Sequence, residues 1–186
     1  MKTLTDMALV TQTALLGNKR AFDQLVRRHQ SAVRRFLLHL TLGNTALSDD
    51  LAQETFIRAY THIGNFKALA SFQTWLFRIA YRAYYDYQRS RQRQPGLATD
   101  GGEATLAVAA TMATPTTETM LSLDLLNALA LLSDLERTCI TLQLIDGEPI
   151  ARIAEITGLG ENTVKSHLHR GKKRMAHYLR QNGYDR

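Results

Sequence analysis

The sequence predicts an all-α protein: two small helical domains joined by a flexible linker, the second ending in a helix-turn-helix. Three observations predict it. Apolar residues recur every three or four positions along most of the chain, and no stretch alternates with the period of a strand. Residues 95–119 break the pattern: 13 of these 25 residues are Ala or Thr, Pro95 and Pro115 fall here, and Lys and Arg are absent. Such a stretch has too little bulky apolar content for a core. Third, Pro149–Met175 reads as two short helices joined by a tight turn containing glycine.

That last stretch organises the chain. Pro149 suits a first helical turn, where its missing N–H costs nothing. Ile150, Ile153 and Ala154 form one apolar face, and Gly158 can take the left-handed conformation that ends a helix. Leu159 is a short apolar plug, and Gly160 stands at the next N-cap. In the second helix Val164, Leu168, Gly171 and Met175 share one face, with Gly171 expected to let the first helix of the motif approach closely. Asn162, Ser166, His169, Arg170 and Lys173 point the other way, with Lys165 and Lys172 at the edge. Hydrogen-bonding and cationic side chains of this kind contact base edges and phosphates in a major groove. The plainer reading is a solvated surface helix, but the tight turn and the basic face occur together.

The 186 residues are 45% hydrophobic, enough for real cores, and the net charge of +6 is unevenly spread. Residues 1–94 carry +8, 95–120 carry −3, 121–161 carry −5 and 162–186 carry +6. Two basic blocks separated by an acidic stretch suggest two contacts with a polyanion. Cys139 is the only cysteine, which excludes an internal disulfide and a cysteine-based metal cluster. No signal peptide and no apolar run of membrane-spanning length is present, so direct membrane insertion is not expected and a cytoplasmic location is.

From the N-terminus, residues 4–16 form a first helix closing at Gly17-Asn18. Ala21, Phe22, Leu25 and Val26 begin a second, and a third follows with Val33, Phe36, Leu37 and Leu40, ending at Gly43-Asn44. Arg27, Arg28, Arg34 and Arg35 read as solvated surface. The next helix opens at Ser48 as N-cap, with Asp49 and Asp50 at the positive end of its dipole. Ala52, Phe56, Ala59, Tyr60 and Ile63 cluster on one side; Asp50, Gln53, Glu54, Ile57 and Thr61 lie on the other. Ile57 is thus apolar in the middle of a polar face. That is an ordinary exposed residue, or the centre of a protein-binding helix; the wheel alone leaves both open.

Seven of the fourteen aromatics fall between Phe72 and Tyr87, interleaved with or followed by Arg78, Arg82, Arg89, Arg91 and Arg93. A loop from Gly64-Asn65 to Ser71 precedes a helix whose expected buried face is Leu76, Ile79, Ala80, Ala83 and Tyr87. Arg78, Tyr81, Arg82, Tyr85 and Arg89 are left more exposed. Exposed tyrosines among arginines have the composition of a single-strand platform, whereas Phe72 and Trp75 read as core. Beyond the linker, Leu121, Leu125, Leu126, Leu129 and Leu132 give a helix, and Ser133-Asp-Leu-Glu136 is a capping box opening the next, with Leu135, Cys139, Ile140 and Leu144 along it. Asp146-Gly147 ends that helix.

No catalytic constellation emerges. There is no phosphate-binding glycine loop and no His-Glu-x-x-His motif. His167 and His169, two residues apart, point to different sides of a helix and make poor joint metal ligands. No metal and no cofactor is expected.

Three segments, Asp-Asp-Leu-Ala-Gln-Glu-Thr-Phe-Ile-Arg-Ala (49–59), Ser-Phe-Gln-Thr-Trp-Leu-Phe-Arg-Ile-Ala (71–80) and Asn-Thr-Val-Lys-Ser-His-Leu-His-Arg-Gly-Lys-Lys-Arg-Met (162–175), resemble the bacterial extracytoplasmic-function sigma factors in order and spacing. The resemblance implies three units: 1–94, which binds RNA polymerase core and the minus-ten element; the linker 95–119, threading the polymerase; and 120–186, which reads the duplex minus-thirty-five element. It places Asp50, Gln53, Glu54, Ile57 and Arg58 against the polymerase clamp helices. It places Lys67, Arg78, Tyr81, Arg82, Tyr85 and Arg89 on melted minus-ten DNA, with a non-template base flipped into a pocket. Asn162, Lys165, Ser166, His169, Arg170 and Lys173 then contact duplex DNA. Tyr81-Arg82 stand where the family usually has Arg-Asn, the loop Phe66–Ser71 is less polar than usual, and Gly160 replaces a polar cap. The resemblance also implies an anti-sigma partner, often membrane-anchored. The alternative is a conventional helix-turn-helix regulator with an N-terminal sensing or dimerisation domain.

Overall fold

The computed structural model describes residues 4–93 and 117–184, without the side chains of 117–121. The described residues contain helices and turns and no strand. In order they are α1 (Asp6–Leu16), α2 (Lys19–Leu40), α3 (Thr45–Thr61), a 3₁₀ turn (Ile63–Asn65), α4 (Phe72–Arg93), α5 (Thr117–Ala130), α6 (Asp134–Ile140), a π-helical turn (Thr141–Ile145), α7 (Ile150–Thr157) and α8 (Glu161–Gln181). Most of the expected linker, 95–116, lies outside the described residues, and α5 begins within its expected end.

α2 is the hub of the first half. The second and third expected helices are one 22-residue helix, because nothing between Arg27 and Val33 is a glycine or proline that would break it. One stripe of α2, including Phe22, Leu25, Val33, Phe36, Leu37 and Leu40, is buried. It packs against Leu51 and Ala59 of α3 and Leu76, Phe77 and Ala80 of α4 in a single core. Each such side chain contributes about 1.5–3 kcal/mol by leaving water, and Phe36 and Phe77 add a ring contact at 5.0 Å. The arginines of α2 are more than a solvated surface. Arg28 pairs with Asp6 of α1 at 2.8 Å, Arg34 with Asp49 of α3, and Arg35 with Asp146 beyond the π-helical turn at 2.9 Å. Of the four, Arg27 alone has no ion-pair partner among the described residues.

Side-chain oxygens start most helices by accepting from first-turn amides. Thr5 serves α1, Asn18 serves α2, Asn44 serves α3 and Ser71 serves α4. α3 therefore starts a turn earlier than expected. Ser48 is not its cap but a buried residue within it, donating to the Asn44 carbonyl at 2.6 Å. The turn is won by Asn44 because it follows Gly43, whose φ of +85° ends the preceding segment. The buried stripe of α3 is Ser48, Leu51, Thr55 and Ala59, while Tyr60 is 40% exposed and lies edge-on to Phe22 at 4.9 Å.

In the second half the capping box forms as expected: Ser133 accepts from the Glu136 amide, and Glu136 accepts from the Ser133 amide. Cys139 is fully buried, and burial, then Glu136, pushes its thiol up to about 11, consistent with a small core residue. α7 and α8 meet at Gly158, whose φ is +77°. Val164, Leu168, Gly171 and Met175 all face the core as expected. Gly171, however, serves α6 rather than α7: a β-carbon there would lie 2.8 Å from Ile140 Cγ1. The two halves also touch, α4 against α7 and α2 against α6 and the π-helical turn.

Candidate nucleic-acid and polymerase interfaces

α8 presents Asn162, Lys165, Ser166, His169, Arg170 and Lys173 to solvent, together with Lys172 and Arg174. Lys165, Lys172 and Lys173 have no ion-pair partner among the described residues. Arg170 is held: its Nε donates to Glu136 Oε1 at 3.2 Å, and its Nη2 lies 3.0 Å from His167 Nδ1. Arg174, which the sequence reading did not single out, donates to the other Glu136 oxygen at 2.7 Å. Burial pushes the Glu136 carboxyl up, but the Ser133 amide and the two guanidiniums outweigh it and hold it below the usual range. Glu136 thus caps α6 and fixes two arginines of α8. The spacing of Arg170 and Arg174, four apart beside Gly171, is the signal that could have shown them as a pair. Gly160 caps α8 without a side-chain bond, so first-turn amides stay available to an anion.

α4 carries the second cationic face. Arg78, Arg82, Tyr85 and Arg89, spaced four, three and four, form one exposed stripe. None of the three arginines has an ion-pair partner among the described residues. Tyr81 departs from expectation: it is buried, as are Phe77 and Tyr84, while Ile79 and Tyr87 are only partly covered. The buried arc of α4 is wider than the predicted face because α2 and α3 pack on one side of it and the second half on the other. Tyr81 keeps a ring contact with exposed Tyr85 at 6.2 Å. A cleft of about 430 Å³ opens there, lined by Tyr81, Tyr84, Tyr85 and Arg89 from α4 and by Asp134 and Thr138 from α6.

The loop before α4 is anchored by three rings. Phe66, Phe72 and Trp75 lie with pairwise centroid distances of 5.5 Å. Lys67 is exposed on it, and Ala68 takes a φ of +56°, a left-handed conformation that L-residues adopt at a cost.

On α3, Asp50, Gln53 and Ile57 are exposed, Ile57 at 54%. Glu54 and Arg58 are partly covered. Arg58 donates to Glu54 at 2.7 Å and reaches across to Asp86 of α4 at 2.9 Å. The five residues share one region, but Arg58 is turned toward α4, leaving Ile57 as the apolar centre of the face. Among the described residues no group of three or more His, Cys, Asp or Glu is placed to hold a metal, and no helix is long and apolar enough to cross a membrane.

Residues 25–94 match the family Sigma-70 region 2, and residues 122–175 match Sigma-70, region 4. The chain is 33% identical over 175 residues to the ECF RNA polymerase sigma factor SigW of Bacillus subtilis, covering 88% of this chain and 91% of that protein. It is 34% identical over 179 residues to the ECF RNA polymerase sigma-E factor of Haemophilus influenzae, covering 91% and 93%.

The chain belongs to the ECF RNA polymerase sigma factors.

Its fold is similar to the sigma factor RpoE from Bartonella quintana, solved in complex with the anti-sigma factor NepR, with a TM-score of 0.72 at 25% identity over 89% of this chain and 98% of that one. It is likewise similar to CnrH, solved with the cytosolic domain of CnrY, with a TM-score of 0.70 at 25% identity over 96% and 99%. α2, α3 and α4 make up the sigma factor's region 2; α6, α7 and α8 fall in its region 4. With both family matches and relatives of this kind, the conventional helix-turn-helix regulator is not favoured.

Proposed function

We propose that the sigma factor joins RNA polymerase core through α3, reads duplex promoter DNA with α8, and holds melted DNA along α4 and the loop before it. The observation that carries this reading is the pair of cationic helix faces, one on each half. On α8 the face has the donors for base edges and phosphates; on α4 the exposed ring of Tyr85 sits among arginines free to take phosphates. We assign polymerase contact to Asp50, Gln53, Glu54, Ile57 and Arg58, with Ile57 at the centre. Duplex contact falls to Asn162, Lys165, Ser166, His169, Arg170 and Lys173, and strand contact to Lys67, Arg78, Arg82, Tyr85 and Arg89. Tyr81, being buried here, supports Tyr85 rather than meeting DNA directly.

The units in this reading are 1–94, the linker 95–119 and 120–186. The factor acts by binding, without catalytic chemistry of its own, and works in the cytoplasm. Its partners are polymerase core, promoter DNA and an anti-sigma factor, the last by analogy with the two solved complexes.

The test is assembly with purified polymerase core, followed by run-off transcription from a fragmented genomic library and permanganate footprinting. Stable assembly with discrete transcript starts is expected. Tyr85→Ala is expected to leave the closed complex intact and to reduce permanganate reactivity of the melted strand. Failure to bind core, or an effect of Tyr85→Ala confined to closed complexes, would overturn the reading.

A further inference from the structure

We propose that Leu69, in the loop before α4, is a wedge: its side chain enters the promoter between two stacked bases where duplex gives way to melted strand, and keeps them apart. This rests on the assignment of α4 and the loop before it to the melted strand.

The loop stands at the head of the arginine stripe. Trp75, Arg78, Arg82, Tyr85 and Arg89 are spaced three, four, three and four, so Trp75 continues the stripe toward the start of α4. Phe66 packs on Trp75 with ring centroids 5.5 Å apart, which brings the loop onto that end. A strand followed along the arginines toward the start of α4 therefore meets the loop next.

Leu69 is 81% exposed, the most open large apolar side chain among the described residues. A single exposed leucine is ordinary in itself. This one is held out by a loop pinned at both ends. The Phe66 amide donates to the Ile63 carbonyl at 3.1 Å, and Ser71 Oγ accepts from the Thr74 amide at 3.0 Å. The other large apolar side chain of the loop, Phe66, turns in against Phe72 and Trp75, whereas Leu69 turns out. The residue before it, Ala68, takes a φ of +56°. Among the described residues only Leu42 shares a positive φ without being glycine, and it lies just past the end of α2, where left-handed residues are usual. Ala68 closes no helix, and strain of this kind gathers at functional sites.

Apolar side chains inserted between base steps unstack them, and leucine is among those that do so. The side chain leaves water for two base faces, which favours insertion. It carries no hydrogen-bonding group, so it opens a step without reading it. Lys67, exposed two residues earlier, has the charge to hold a phosphate beside the opened step. Ala68 and Ala70 on either side are small and leave room for the DNA to approach.

The test uses holoenzyme assembled from the full-length chain and purified core, on a promoter fragment recovered from the run-off experiment. One template is fully duplex; the other carries a mismatched bubble over the melted window. 2-Aminopurine is placed at one position of the window at a time, and its fluorescence reports unstacking. Because the Leu69 side chain lies in solvent, Leu69→Ala is expected to keep helix content and thermal midpoint. It is expected to slow opening of the duplex template by at least about tenfold and to remove the fluorescence rise at the wedged step. On the bubble template it is expected to transcribe as the parent chain does. Leu69→Met, which keeps an apolar side chain of similar volume, is expected to restore opening. Undiminished opening in Leu69→Ala would overturn the wedge. So would an equal loss on both templates, which would make Leu69 a strand or polymerase contact instead. Failure of the strand assignment shows elsewhere, as full permanganate reactivity with Tyr85→Ala.

Discussion

Gly171 of α8 lies so close to Ile140 of α6 that any β-carbon on it would meet Ile140 Cγ1 at 2.8 Å. The contact sets how near α8, the helix proposed to read duplex DNA, sits to the helix that holds its arginines. Gly171→Ala adds a methyl to a packed site, and overpacking of this kind costs about 1–3 kcal/mol. A lower thermal midpoint is expected, and Ile140→Val in the same chain should recover part of it. An unchanged midpoint for Gly171→Ala would show that α8 can shift freely.

Glu136→Gln tests the link between α6 and α8. The substitution keeps the shape but removes the charge that Arg170 and Arg174 share. Charge-assisted hydrogen bonds of this kind contribute about 1–3 kcal/mol in all. Lower stability is expected together with weaker promoter binding, because Arg170 loses its anchor. Chemical denaturation and a duplex-DNA titration read the two effects separately.

Ile57→Asp places a charge at the centre of the exposed α3 face. Since Ile57 is 54% exposed, the fold is expected to be unaffected. Affinity for polymerase core is expected to fall at least about tenfold, as for a central interface residue. Equal affinity would remove α3 from the docking surface.

His39 gives a pH dependence. Burial, then the charge of Arg35, lowers its pKa from 6.5 to about 4. The unfolded imidazole takes up a proton near 6.5, the native one only near 4. Stability is therefore fully present above pH 6.5 and is lost as pH falls toward 4, by at most about 1.4 kcal/mol per unit. Asp146 and Glu148, whose carboxyls burial raises, work against this once they begin to protonate. Thermal midpoints at pH 7.5 and 5.0 are expected to differ, and His39→Leu should narrow the gap. An equal drop in His39→Leu would assign the effect elsewhere.

What was legible in the sequence was local. The apolar stripe of α8, the left-handed turn at Gly158 and the capping box at Ser133 each depend on neighbours within a few residues, and the structure keeps all three. What was missed depends on elements far apart in the chain. Tyr81 reads as outward on a wheel of α4 alone and is buried because α4 is covered on two sides. Ser48 looks like a cap until Asn44, after left-handed Gly43, takes that role. Arg35 looks solvated because its partner is Asp146, 111 residues away. Of the proposed contact residues, those on α8 were placed outward by spacing alone, Lys165 at the edge; the ties of Arg170 to Glu136 and of Arg58 to Asp86 could not be, since no periodicity encodes which helix lies opposite.

Trp75 is the only tryptophan in the chain, and it sits in the ring cluster beneath the loop before α4. Excited beyond the tyrosine absorption band, indole emission accordingly comes from a single place in the fold, beside the loop proposed to hold melted DNA. A stopped-flow experiment on the unlabelled protein can follow that loop in real time, and the time course belongs to one chromophore with no second indole to subtract.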